Sequence, residues 1–246
     1  MTTDVREVGG VTVLTLSSGK VNALDVGLLS DLTSAVRELE RNDSTPLVLT
    51  GAGQAFSAGV DLVQVLDGGP DYAEALIAAL SAAFVAVFGF PGPTVAAING
   101  AAIAGGCVLA CACDLRLITP EGLIGASELR VGVPFPAAAL EILRYACGDH
   151  AEEVMLGGRL YRGPEALACR LAHTVVDDDV VSQAIADAAE LGSSPAGGYR
   201  NTKAQLRGPA LSRIAEAALD DEVRQIWASP STAAAIRSHL ERLRRR

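Results

Sequence analysis

The chain has 246 residues, half of them apolar, enough to bury a substantial core in one large domain or in a domain with an appendage. A formal net charge of −9 argues against nucleic acid as partner, since phosphate binding calls for a basic surface. Apolar runs such as Val95 to Ile103 are broken by Gly and Asn, short of the ~20 residues that span a bilayer, and the N-terminus has no apolar signal core, so no membrane partner and cytoplasmic residence are expected.

In chain order, Val11 to Leu16 alternates as a strand, and Leu24, Leu28, Leu32, Val36 and Leu39 give Asn22 to Glu40 a helical period. Leu47 to Leu49 is the next strand, Tyr72 to Phe88 an Ala-rich helix ended by Gly89 and Pro91, and Thr94 to Ile98 a further strand. Helix-like Gly105 to Ala112 precedes strand-like Asp114 to Thr119 and Leu123 to Gly125, and this alternation predicts an α/β core. From Pro134 the texture is helical: Ala137 to Tyr145, His150 to Leu156, Gly163 to Ala168, Val180 to Leu191, Ala196 to Arg207, Leu211 to Trp227 and Ser231 to Arg244. Ala172 to Val176 alone reads there as a strand. Gly192 to Gly198 is the expected boundary between a core, 1–191, and a C-terminal helical region, 192–246.

Two glycine-bearing segments carry the chemistry, Gly51-Ala-Gly-Gln-Ala-Phe-Ser-Ala-Gly-Val-Asp-Leu62 and Asn99-Gly-Ala-Ala-Ile-Ala-Gly-Gly-Cys-Val-Leu-Ala-Cys-Ala-Cys-Asp114. Each follows an apolar strand-like run, and small residues there let a ligand approach free N–H groups that favour developing negative charge. A carboxyl follows in Ala126-Ser-Glu-Leu-Arg-Val-Gly132. Amides for an oxyanion plus one acid/base suggest reaction at a carbonyl compound.

Other chemistries lose ground. Gly51-Ala-Gly53 lacks the Lys-Ser/Thr pair of a phosphate loop, Ser57 lacks a Gly-x-Ser-x-Gly elbow, and Ser17-Ser-Gly-Lys20 reads as a turn. His150, His173 and His239 form no ligand pattern and are expected at the surface or in packing. The cysteines 107, 111, 113, 147 and 169 are odd in number and set among Ala and Leu, so buried core thiols are expected rather than disulfides or metal ligands. The terminal Arg242-Leu-Arg-Arg-Arg246 reads as a solvated helix end.

Val21-Asn-Ala-Leu24, Phe56 to Leu62, Ala96-Ala-Ile-Asn-Gly100, Ala104-Gly-Gly-Cys107, Cys113-Asp-Leu-Arg116 and the Glu128 stretch stand in an order and spacing by which the chain resembles the crotonase superfamily, which includes enoyl-CoA hydratases and isomerases. The resemblance covers nearly the whole length. It implies an α/β spiral of ββα units with C-terminal helices that build a homotrimer or a dimer of trimers, and an acyl-CoA thioester as substrate. No separate cofactor or metal is implied, coenzyme A being part of the substrate. By position, the N–H groups of Val60 and Gly105 would form the oxyanion hole, while Ala58, Asp61 and Leu62 would line the CoA site. One such donor is worth roughly 3 kcal/mol in a transition state.

Hydratases of this family activate water with two glutamates. Here the first position holds Val108, which cannot handle a proton, and the second is Glu128. That pattern is most similar to the Δ3,Δ2-enoyl-CoA isomerases: Glu128 would move a proton from C2 to C4 while Val108 helps exclude water. An ion pair between Glu128 and Arg130 is the non-catalytic possibility. The alternatives are a hydratase recruiting Glu121 or Glu141, another crotonase-type reaction with shifted carboxylates, or a non-catalytic acyl-CoA-binding protein.

Overall fold

The computed structural model describes residues 2–41, 45–216 and 220–244. Three strand pairs each run into a helix: β1 (Thr3–Val8) and β2 (Val11–Leu16) into α1 (Val26–Arg41), β3 (Leu47–Gly51) and β4 (Ala55–Ser57) into α2 (Leu62–Gly89), β5 (Thr94–Ile98) and β6 (Ala101–Ile103) into α3 (Gly105–Ala112). The fourth pair, β7 (Leu115–Ile118) and β8 (Leu123–Gly125), reaches α4 (Ala137–Cys147) through a 3-10 turn at Glu128–Val131. Then come α5 (Ala151–Gly157), β9 (Tyr161–Arg162), α6 (Gly163–Ala168), β10 (Thr174–Val175) and α7 (Val180–Gly192). Helices α8 (Ala196–Ala215), α9 (Asp220–Trp227) and α10 (Pro230–Arg244) follow.

From the second pair on, the first strand of each pair extends one sheet and the second strand another. The sheets have the orders β1-β2-β3-β5-β7-β10 and β4-β6-β8-β9, parallel except at β1/β2 and β8/β9. This is the α/β spiral of ββα units. Strands β3 and β5 are buried throughout, as parallel strands covered on both faces must be. Side chains alternate across the larger sheet. Val13, Val48, Val95 and Ala97 pack under Val180, Ala184 and Ala188 of α7, whereas Leu14, Leu49, Ala96 and Ile98 face the main core.

Several sequence expectations shift. Strand β1 and the short β4, β6 and β9 went unread, and α2 begins ten residues before Tyr72. A break at Gly69 (φ 64°, ψ −155°) lies inside α2, next to Pro70. This helix is long and apolar enough to cross a bilayer by length and composition, against the expectation that no segment comes close. Its Leu76, Leu80, Phe84 and Val87 nevertheless pack in the core. Helix α8 continues through Gly208 and Pro209, where a break was expected; Pro209 and Gln205, whose carbonyl the proline leaves without a helical donor, both lie on the exposed face. The expected helix from Leu211 to Trp227 instead divides between α8 and α9, and its residues 217–219 lie outside the described residues, as do Arg245 and Arg246.

Candidate active site

Three turns converge on one cavity. At the first, β4 gives way to Ala58, Gly59 and Val60 before Asp61 caps α2. Gly59 has φ 87°, and a Cβ there would lie 2.8 Å from the Ile103 carbonyl oxygen, so no larger residue fits. Leu24 N–H donates to the Gly59 carbonyl (2.8 Å) and Asp61 N–H to the Leu24 carbonyl (3.0 Å). These bonds flank Val60, and among the described residues its own N–H has no protein acceptor.

The second turn places Ala104 at φ 52°, ψ −121°, a left-handed backbone that costs an alanine on the order of 1–3 kcal/mol and is held by its N–H donating to the Gly125 carbonyl (2.8 Å). It aims the start of α3 inward. Gly105 opens that helix, where N–H groups lack intrahelical acceptors and the dipole is positive; among the described residues its N–H is also unused. A Cβ on Gly106 would overlap the Ser57 carbonyl, which explains the second glycine: it lets α3 lie on β4. Ser57 is accordingly a packing residue, its hydroxyl donating to the Asn22 carbonyl (2.7 Å).

The third turn follows β8 and carries Glu128. Ala58, Val60, Leu62, Gly105 and Glu128 all border a cavity of about 100 Å³. Glu128 is 7 % exposed, Oε2 has no hydrogen-bond partner, and among the described residues it forms no ion pair with Arg130 or any other cation. Burial pushes its carboxyl from 4.5 up to about 8, opposed only by its own backbone N–H. It is the one carboxyl bordering the cavity among the described residues. Glu121 pairs with Arg162 on the surface (3.0 Å), and Glu141 is held between Arg144 and Arg213 (2.6 Å each), so neither reaches it.

Two residues expected at the site lie off this cavity. Asp61 does not border the cavity; its Oδ1 caps α2, accepting from Val63 N–H (3.0 Å) and Gln64 N–H (3.1 Å). Val108 is fully buried in the core and does not border the cavity, whose apolar wall includes Phe84, Val131, Val133 and Trp227. His173 is a packing residue, its Nδ1 accepting the Arg116 N–H (3.1 Å). His239 of α10, read as surface or packing, lies at the cavity; burial, with Arg242 and Arg130, lowers its pKa. Trp227 and His239 were not singled out as site residues. The available signal was that Trp227 is the chain's single tryptophan.

A larger groove of about 720 Å³ lies at the other end of α3, beside Asp114, Arg116, Lys203 and Arg207. Those charges are paired with one another or with backbone carbonyls, and none of the expected site residues borders it.

A family profile described as Enoyl-CoA hydratase/isomerase matches residues 6–244. A putative enoyl-CoA hydratase from Thermus thermophilus is 35 % identical over 176 residues, 69 % of each chain. The mitochondrial enoyl-CoA delta isomerase 1 of Homo sapiens is 30 % identical over 211 residues, 83 % of this chain and 70 % of that one. The crystal structure of human mitochondrial delta3-delta2-enoyl-CoA isomerase superposes with a TM-score of 0.91 at 28 % identity, over 100 % of this chain and 99 % of the other.

Proposed function

Because the chain belongs to the enoyl-CoA hydratase/isomerase family, and is an enzyme of it, we propose that it moves the double bond of a 3-enoyl-CoA thioester from C3 to C2. The observation that carries this reading is that a single carboxyl without an ion-pair partner, Glu128, borders the same mainly apolar cavity as two unused backbone N–H groups. The thioester oxygen accepts from Val60 N–H and Gly105 N–H, and Ala58 and Leu62 pack beside it. Glu128, as carboxylate, removes a C2 proton; the electron pair moves into a dienolate whose negative charge rests on that oxygen. The Glu128 carboxylic acid then returns the proton at C4, leaving the double bond between C2 and C3. No water enters the balance, and an apolar wall keeps it away. A pKa near 8 suits a group that must both take and give a proton near neutral pH. No second cofactor is needed. A homotrimer or dimer of trimers is the assembly we infer with this activity.

The test is incubation of the purified protein with a 3-enoyl-CoA and, separately, a 2-enoyl-CoA. We expect conversion of the first to the 2-enoyl product, little 3-hydroxyacyl-CoA from the second, and a loss of about 10²–10⁴ in kcat for Glu128→Gln. Efficient hydration would overturn the isomerase reading and point to His239 as the water-positioning group. Binding without turnover of either substrate would mark a non-catalytic acyl-CoA protein.

A further inference from the structure

We propose that Trp227 is the end wall of the acyl site and confines this enzyme to short-chain thioesters, an inference that rests on the acyl-CoA reading above. The cavity holding Glu128 encloses about 100 Å³. That is less than the ~150 Å³ apolar cavity that accommodates a benzene molecule, and well below the ~300 Å³ at which drug-sized ligand sites begin. At roughly 30 Å³ per water-sized group, it takes about three such groups, the reacting carbons and little more of an acyl chain.

Trp227 closes this space. Its side chain is fixed, only 5 % exposed, with Nε1–H donating to the Pro134 carbonyl at 3.0 Å. Trp227 also borders a second cavity of about 260 Å³. Val65 and Leu66 border it, together with Gly69 and Pro70 at the break in α2, and Ile236 of α10. Trp227 is the residue common to both linings, so the indole partitions a space that would otherwise run past Glu128 toward the α2 break. Removal of the indole joins the two cavities and leaves room for a longer chain.

Saturated acyl-CoAs carry no double bond to move, so their binding reads chain length independently of isomerisation. Calorimetry with butyryl-, hexanoyl- and decanoyl-CoA is expected to show wild-type affinity greatest for the two shorter chains and at least about tenfold weaker for decanoyl-CoA. Trp227→Ala is expected to tighten decanoyl-CoA binding by about tenfold and weaken butyryl-CoA, with the better-packed Trp227→Phe in between. The kcat/KM values for the matching 3-enoyl-CoAs should follow the same order. Wild-type protein that binds decanoyl-CoA as tightly as butyryl-CoA overturns the proposal even if neither variant folds. A length dependence without isomerisation upholds the Trp227 wall and removes the isomerase reading alone. Failure to bind any acyl-CoA removes both.

Discussion

Glu128 is an acid in a place where its anion is poorly solvated, and that one property sets both the activity and the stability to be expected with pH. Its carboxyl has a folded value of about 8 against 4.5 for the free group, so between these the folded chain holds more protons than the unfolded one. Stability from this group is full below pH 4.5 and is lost as pH rises through about 8, with a slope of up to ~1.4 kcal/mol per pH unit. Glu128→Gln has no proton to lose, and its urea midpoint should overtake that of the wild type as pH rises from 5 to 8.5. Parallel midpoints across that range would mean the carboxyl is hydrated in solution. The proposed reaction runs the other way: in it the carboxylate is the base, so kcat/KM for a 3-enoyl-CoA should climb with pH and level off above about 8. A plateau already reached at pH 5 would contradict the burial. Glu128 stood out in the sequence as a carboxyl downstream of two glycine turns. Its depth did not, because residues as distant as Phe84 and Trp227 create it.

Elements rather than single residues explain what was legible. Helix α3 and strand β8 were read with their observed bounds, the first from an unbroken apolar run behind a glycine pair and the second from flanking turn residues. Strands β4 and β6 lie inside the two glycine-bearing segments and did not stand out from the turns there, yet they carry Ser57 and Ile103 into the turns at the cavity. The joint between core and C-terminal helices was equally hidden. Asp114, between α3 and β7, accepts from Lys203 at 2.7 Å across 89 residues of chain and pairs with Arg207, one helical turn further along α8 (2.7 Å). Burial by itself would raise the Asp114 carboxyl; the two cations outweigh it and hold the group ionised. Asp114→Asn leaves both cations buried without a counter-charge and should cost about 3–5 kcal/mol in urea unfolding, with faster proteolysis within α8. Lys203→Met should cost much less, since Arg207 still neutralises Asp114. Equal losses in the two variants would show that the pair, rather than the stranded charge, sets the energy.

The whole molecule presents an apolar groove of about 850 Å³ between α4, α5, α9 and the turn that carries Glu128. Leu156 is 71 % exposed there, and Leu129 and Ile226 border the same groove, an exposed apolar surface of the kind a partner can cover. Arg144, Arg213, Glu152 and Glu222 border the same groove, so charges of both signs are available to a second copy of the chain. With the assembly inferred from the family, wild-type protein should sediment as a multiple of 25.3 kDa, and Leu156→Glu should shift it toward that mass with its helix content unchanged. A wild-type monomer at tens of micromolar would rule this face out as a subunit contact. The groove also bears on catalysis, because Leu129 directly follows Glu128 in the same 3-10 turn. Covering Leu129 removes one path by which that turn can loosen and admit water to the base, so activity per chain should fall on dilution through the dissociation range. Leu156→Glu should then resemble diluted wild type.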